Sequence, residues 1–385
     1  MSSRSSKSVS LSLLTLSLVG GTALHAQAGD FTYSGFATAA IGKVMSGSRT
    51  ERLNDHYDCP CFIADYGQGA LYEPHWSVGT ESKIGLQGTY SFNTQWSATG
   101  QVVARGVDGI KTDLEWAYLS YEASPHWTIQ AGRKRLPLYF YSEFQDVGYA
   151  FNWARVPTDL YGWEIVNYNG VNATYRDDWK GWAAKSNFFT GSERTKDNRF
   201  SRIYYASPQD VTWKNIMGAD LELTRDWLTL RFNYITSQVQ QWDKTDGVRT
   251  RITPTEDSNR STERQNIYGA ALNIDYNNWL FRSEYSVFDR SSYSYRSRAY
   301  MLALGYRMGD FIPMATFTRY GEHNPQDHET VQAEKVMSLS LRYDINERSD
   351  VKIQLDRSKD LSGPGTAPYF VGTSNAISVS YDTVF

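Results

Sequence analysis

The chain has 385 residues, 41% of them apolar, 15% aromatic and 21% charged, with a formal net charge of −3. Past Gly29 no apolar run approaches the roughly 18 residues that a spanning helix needs, which excludes a helical membrane protein. The mild acidity argues against nucleic acid as a partner, and two cysteines alone, Cys59 and Cys61, are too few for a metal centre. They read as a loop clip or as paired thiols.

The amino terminus reads as a secretory leader over residues 1–28, ahead of a mature domain over 29–385. Arg4 and Lys7 form a positive start, Val9 to Val19 a short leucine- and serine-rich run, and Ala26-Gln27-Ala28 a small-residue cleavage site. Losing Arg4 and Lys7 takes the formal charge from −3 to −5. Composition at this point also allows a secreted sugar-binding or β-sandwich protein.

From Phe31 onward one unit repeats: a segment of about ten residues with alternating apolar and polar side chains, a very short polar turn, a second such segment, then a longer loop. The short turns are expected near Phe92-Asn93-Thr94, Ser124-Pro125-His126, Arg176-Asp177-Asp178, Thr224-Arg225-Asp226, Tyr276-Asn277-Asn278, Met308-Gly309-Asp310 and Asn346-Glu347-Arg348. Seven turns joining fourteen strands, with one more strand at each end, give sixteen. Ile84, Leu86 and Tyr90 are expected on the outer face with Lys83, Gln87 and Thr89 inward. Leu228, Leu230, Phe232 and Tyr234 likewise oppose Thr229, Arg231 and Asn233.

Near the carboxyl end Leu339, Leu341 and Tyr343 oppose Ser340, Arg342 and Asp344, while Val351, Ile353 and Leu355 oppose Lys352, Gln354 and Asp356. An inner face this polar is most simply filled with water. The segment Asp113 to Glu122 would turn Glu115 outward unless a bulge resets the face, and the strand after Phe311 is ambiguous around Arg319. Trp96, Trp127, Trp182, Trp227, Trp279 and Phe311 each follow a short turn, a placement that builds an aromatic ring at one membrane interface.

The last segment, Ile377 to Phe385, alternates to its final residue. An exposed apolar edge strand invites aggregation, so this one belongs where both edges are paired and the apolar face meets lipid. The expected fold is therefore all-β, a transmembrane antiparallel β-barrel of about 16 strands with short periplasmic turns and long outer loops. The long loops fall at 46–79, 137–163, 191–214, 238–263, 321–331 and 359–372.

At this point the chain resembles the Gram-negative general porins, sixteen-stranded trimeric barrels with a loop folded into the pore. The resemblance rests on the leader, the strand count, terminal Phe385 and the stretch Gln130-Ala131-Gly132-Arg133-Lys134-Arg135-Leu136-Pro137, which leads into the third outer loop, a long one that follows a short second loop near 106–112. It implies an outer-membrane location, a homotrimer, contact with outer-membrane lipid and lipopolysaccharide, and an eyelet made by the third loop. The short second loop departs from the pattern of many such trimers, leaving the Cys59–Cys61 loop as the expected latch onto a neighbour unless the trimer contacts differ. Thr383 departs from it too, standing where a bulkier apolar residue is frequent.

The third loop supports that role on its own chemistry. Tyr139, Phe140, Tyr141, Phe144, Trp153 and Trp163 are too apolar for a solvated tip and need a wall to pack on. Glu143, Asp146 and Asp159 on this loop are expected to face Lys83, Arg105 and Lys134 on the strands, either as a transverse field across a constriction or as ion pairs tying the loop to the wall.

The expected function is passive diffusion of small hydrophilic solutes and ions, without enzymatic chemistry, metal or cofactor. A substrate-selective porin for an organic acid or sugar is the alternative. A hydrolase is less favoured because the histidines outside the leader fall in loops or a turn. An adhesin, using the charge-rich stretch Asp243 to Arg264 on lipopolysaccharide phosphates, is the remaining rival.

Overall fold

The computed structural model describes residues 29–48, 57, 59–107, 109–204, 208–245, 248–252, 262–290, 295–324, 330–362 and 372–385. The expected leader over 1–28 lies outside them, as do His56, His328, Asp257 and Arg260.

Sixteen antiparallel strands form one closed sheet. In chain order they are β1 (Asp30–Gly47), β2 (Lys83–Ser91), β3 (Trp96–Arg105), β4 (Lys111–Glu122), β5 (Trp127–Arg135), β6 (Asn167–Trp179), β7 (Trp182–Thr195), β8 (Gln209–Arg225), β9 (Leu228–Thr245), β10 (Glu263–Tyr276), β11 (Trp279–Arg290), β12 (Tyr295–Tyr306), β13 (Phe311–His323), β14 (Thr330–Asn346), β15 (Ser349–Asp360) and β16 (Thr373–Val384). A short strand, Val248–Ile252, extends the sheet along the end of β9.

Closure is made by β1, which pairs with β2 from Asp30–Ser91 to Thr38–Lys83 and with β16 from Phe36–Val384 to Gly47–Ser374. The terminal Phe385 takes part: its N–H donates to the Gly35 carbonyl at 3.0 Å, and Gly35 N–H donates to its carbonyl at 2.7 Å. No backbone edge is left at the seam, which is what a sheet needs in lipid.

The expected faces hold along these strands. Leu86, Phe232, Leu339 and Leu355 are exposed on the exterior, while Arg231, Ser340, Lys352 and Asp356 are buried inside. The aromatics after the turns stack on cross-strand partners, Trp96 on Tyr121 at 4.7 Å, Trp279 on Tyr306 at 4.8 Å and Phe311 on Tyr343 at 4.8 Å between ring centroids. They make a girdle on the turn side of the barrel.

One turn lies elsewhere than expected, and the bulge on which the facing of Glu115 depended is present. The third short turn is Lys180-Gly181, both at positive φ, and not Arg176-Asp177-Asp178, which stays in β6 paired with β7. Glycine takes the left-handed conformation without a Cβ clash, so the reversal forms there. In β4, Leu114 opposes Val102 and Trp116 opposes Gln101, so Glu115 is an extra residue. That bulge turns Glu115 inward, where it is buried.

The interior corrects a larger expectation. Water does not fill it evenly, because loop L3 (residues 136–166) carries Leu138, Tyr139, Trp153, Leu160 and Trp163 into a dry core. The inner faces of β10 to β13 supply the matching wall, with Ile267, Phe288, Met301, Ala303, Ile312 and Met314. Burying each large side chain here contributes about 1.5–3 kcal/mol, enough to hold a long loop against its ordering entropy.

The first long loop, whose Cys59 and Cys61 form a disulfide, forms a hairpin of Phe62–Asp65 and Ala70–Tyr72 over the barrel's own mouth. Tyr66 Oη donates to Glu334 at 2.9 Å and Tyr72 Oη to Glu81 at 2.5 Å. Over the described residues this loop packs against its own barrel. The fourth loop adds a short helix, Arg199–Tyr204, whose Phe200 ring lies 5.7 Å from Trp163 and whose Arg199 reaches Asp113 at 2.7 Å.

Candidate channel constriction

L3 enters from β5, crosses the lumen and leaves into β6. A loop inside a barrel loses water from its backbone groups, and the wall side chains replace it. On one side Arg231 donates to the Phe140 carbonyl at 3.1 Å, and Glu284 accepts the Phe140 N–H at 2.8 Å together with the Tyr161 hydroxyl. On the other, Trp153 Nε1 donates to Thr316 at 2.8 Å, Arg342 to the Tyr149 carbonyl at 2.7 Å and Lys352 to the Gly148 carbonyl at 2.7 Å. Arg155 of the loop binds Glu81 at 2.7 Å and also Asp356.

The three loop carboxylates have three different fates. Asp146 is buried among Arg105 at 2.7 Å, Lys83 at 3.8 Å and Arg135, while Arg105 also holds Glu115 at 2.7 Å and Asp113 at 3.2 Å. Burial opposes its charge, but Arg105, Arg135 and Lys83 outweigh that and hold the carboxyl well below its usual range. Lys83, Arg105 and Asp146 therefore come together, as a lock between loop and wall.

Asp159 stands apart from any basic cluster. Its Oδ2 accepts from Thr318 at 2.6 Å, and burial, with Glu334 adding, pushes its carboxyl well above the ordinary value.

Glu143 is the open one, with 27% of its side chain exposed against 8% for Asp146. It sits on a single 3₁₀ turn, Ser142–Phe144, which aims it across the lumen. Lys185 of β7 and Arg231 of β9 each approach to 3.6 Å. Lys185 chiefly, then, against the effect of burial, Arg231 and Lys134, bring Glu143 down to about 2, so it is ionised throughout the physiological range. Lys134 on β5 is held by Gln130 and by Asn172 at 3.0 Å, and lies 5.2 Å from the Tyr118 ring.

Arg135, Lys185, Arg231 and Arg155 were not among the expected constriction residues. Arg231 is inward by alternation and carries that signal in the sequence. Arg135 ends its strand and Arg155 lies in the loop, so neither has a face to read.

No protein-family model and no curated protein sequence matches the chain. Solved structures do. The outer-membrane channel DcaP of Acinetobacter baumannii superposes with a TM-score of 0.60 at 8% identity, over 93% of this chain and 98% of that one. OmpF of Salmonella typhi gives 0.58 at 14%, over 93% and 98%. OmpT of Vibrio cholerae in a trimer form gives 0.52 at 11%, over 93% and 100%. At these identities the likeness is one of fold, a closed sixteen-stranded antiparallel barrel shared with outer-membrane porins and channels.

Proposed function

We propose that the chain is a passive outer-membrane channel for small hydrophilic solutes and ions, with its constriction between Glu143 and the basic face formed by Lys134, Lys185 and Arg231. The observation that carries this reading is an ionised, partly exposed loop carboxylate set 3.6 Å from two wall cations inside a closed barrel. Such a field orders water and orients dipolar solutes without any chemical step. The porin-like fold and the alternation of apolar exterior with charged interior support the membrane placement. The trimer form of the fold relative OmpT supports a homotrimer for this chain too.

Planar-bilayer recording of the purified protein tests it. Stepwise conductance with a modest ion preference is expected, and a preparation that inserts without conducting refutes it. A substrate-selective channel is the second reading. Trp116 and Tyr118, with ring centroids 6.1 Å apart, stand on β4 beside Lys134, a combination that suits an organic anion with a flat apolar part. Saturation of conductance by one such solute would favour this reading over general diffusion.

A further inference from the structure

Three loops meet at a small cavity inside the barrel. Tyr66 at the tip of the first-loop hairpin, Asp159 and Trp163 of L3, and Phe200 of the short helix line it, with Tyr320 of β13 and Gln332 of β14 on the wall side. The rings are set against one another, Phe200 at 5.7 Å from Trp163 and 6.1 Å from Tyr66, while Trp163 rests on Phe288 of the wall at 4.0 Å between centroids. Most polar groups here are committed: Tyr66 Oη donates to Glu334 at 2.9 Å, Tyr320 Oη to Glu322 at 2.9 Å, and Asp159 Oδ2 accepts from Thr318 at 2.6 Å. Asp159 Oδ1 and Trp163 Nε1, by contrast, have no hydrogen-bond partner, and each of these residues is only 6% exposed.

An unpartnered acceptor and an unpartnered donor lining one cavity restrict what can enter it. An anion would meet Asp159 and, among the described residues, no basic side chain in the lining. A cation would use Asp159 but not the Trp163 N–H, and burial already favours the protonated form of that carboxyl. A hydroxyl uses both, donating to Asp159 Oδ1 and accepting from Trp163 Nε1. The cavity encloses about 20 Å³, room for one group the size of a water. Phe200, Tyr320 and Gln332 are half-buried and form its rim, where two rings and an amide meet the rest of a solute.

We infer that this cavity is a binding site for a neutral cyclic polyol of the sugar class, with one hydroxyl seated between Asp159 and Trp163 and the ring against Phe200 and Tyr320. A pyranose carries hydroxyls around its edge and C–H groups on its faces, which matches a polar pocket inside an aromatic rim. The seat is formed in advance, because Phe288 fixes the indole and Thr318 the carboxyl. Its lining comes from the first loop, L3 and the short helix, so a bound ring also ties those three segments together. The site uses none of Glu143, Lys134, Lys185 and Arg231, and binding there is independent of whether the barrel conducts.

Saturation-transfer NMR on the full chain in a sugar-free detergent tests it with three probes: glucose, dioxane as a ring without hydroxyls, and methylammonium as a cation. Glucose should receive saturation, dioxane should not, and methylammonium should fail to displace glucose. Trp163→Phe keeps an aromatic ring and removes the N–H, while Asp159→Leu removes the acceptor; each should weaken glucose binding about fivefold, the worth of one hydrogen bond. Asp159→Asn, which keeps an acceptor oxygen, should bind as the wild type does, and so should Glu143→Gln. Absence of transfer to glucose leaves the cavity to water and overturns the assignment. Equal transfer to dioxane, displacement by methylammonium, or unchanged binding in both Trp163→Phe and Asp159→Leu overturns it as well, and loss of binding in Glu143→Gln moves the sugar to the constriction. Should Asp159→Leu fail to assemble, Trp163→Phe and the probe comparison on the wild type decide the matter.

Discussion

Replacing Gly148 with alanine should release the tip of L3 from the wall. A Cβ on Gly148 would stand 1.8 Å from Asp382 Oδ1, 2.5 Å from its Cγ and 2.8 Å from Thr38 Oγ1. The carboxylate cannot swing aside cheaply, because Asp382 is fully buried and bound by Thr38 at 2.5 Å, Lys352 at 2.9 Å and Ser380 at 2.9 Å. Moving it breaks charge-assisted bonds worth about 1.5–3 kcal/mol each, while overpacking alone costs about 1–3 kcal/mol. The less costly response is for the loop turn to lift, giving up the Lys352 bond to the Gly148 carbonyl. A loss of ~3 kcal/mol shifts the docking equilibrium about 150-fold. Single-channel recording should then show larger or flickering conductance, and limited proteolysis should cut within residues 142–151. Gly148→Ala with wild-type conductance and protease resistance would refute the docking geometry.

Glu143→Gln should shift the reversal potential toward anions, by about fivefold in permeability ratio for roughly 1 kcal/mol of lost field; with Glu143 at about 2, wild-type selectivity should persist to pH 3 and fall only near 2. Asp146→Asn leaves Lys83, Arg105 and Arg135 crowded around a neutral group, and should destabilise the barrel by about 3–5 kcal/mol in thermal unfolding. Asp159 has its carboxyl raised in the folded state, so its contribution is complete below the unfolded value and declines as pH rises, at up to ~1.4 kcal/mol per pH unit. Asp159→Asn should accordingly match wild type near pH 4 and exceed it in melting temperature near pH 8; equal melting curves at both values would contradict a carboxyl raised by burial.

Alternation made the barrel legible. Where apolar and polar residues alternate strictly, as over 228–234 of β9 and along β15, each residue declares its side, and the turns between such strands follow from Asn, Asp and Gly. The terminal strand was legible for the same reason, and its seam with β1 completes the circle that sixteen strands require. Glu115 was readable only as a conditional, because a bulge depends on the partner strand. The inner faces of β12 and β13 were not readable at all: Met301 and Ala303 alternate with Leu302 and Leu304, apolar with apolar, since L3 dries that wall. At the candidate constriction, composition singled out the loop carboxylates but not their separate environments. Asp146 and Glu143 are three residues apart in sequence, yet one is locked and the other open, and only the path of the loop separates them.

The dry wall also divides the barrel mechanically. Strands β10 to β13 are packed on the inside by L3, so a side chain there cannot turn without displacing a neighbour, as in the interior of a soluble protein. Strands β4 and β5 contribute no side chain to that apolar core, and their polar inner faces keep more room to flex. Lateral pressure on the wall would therefore deform that part first, and it carries Lys134. In the proposed constriction the stiff side then holds Glu143 in place, and the compliant side, through Lys134, sets the gap.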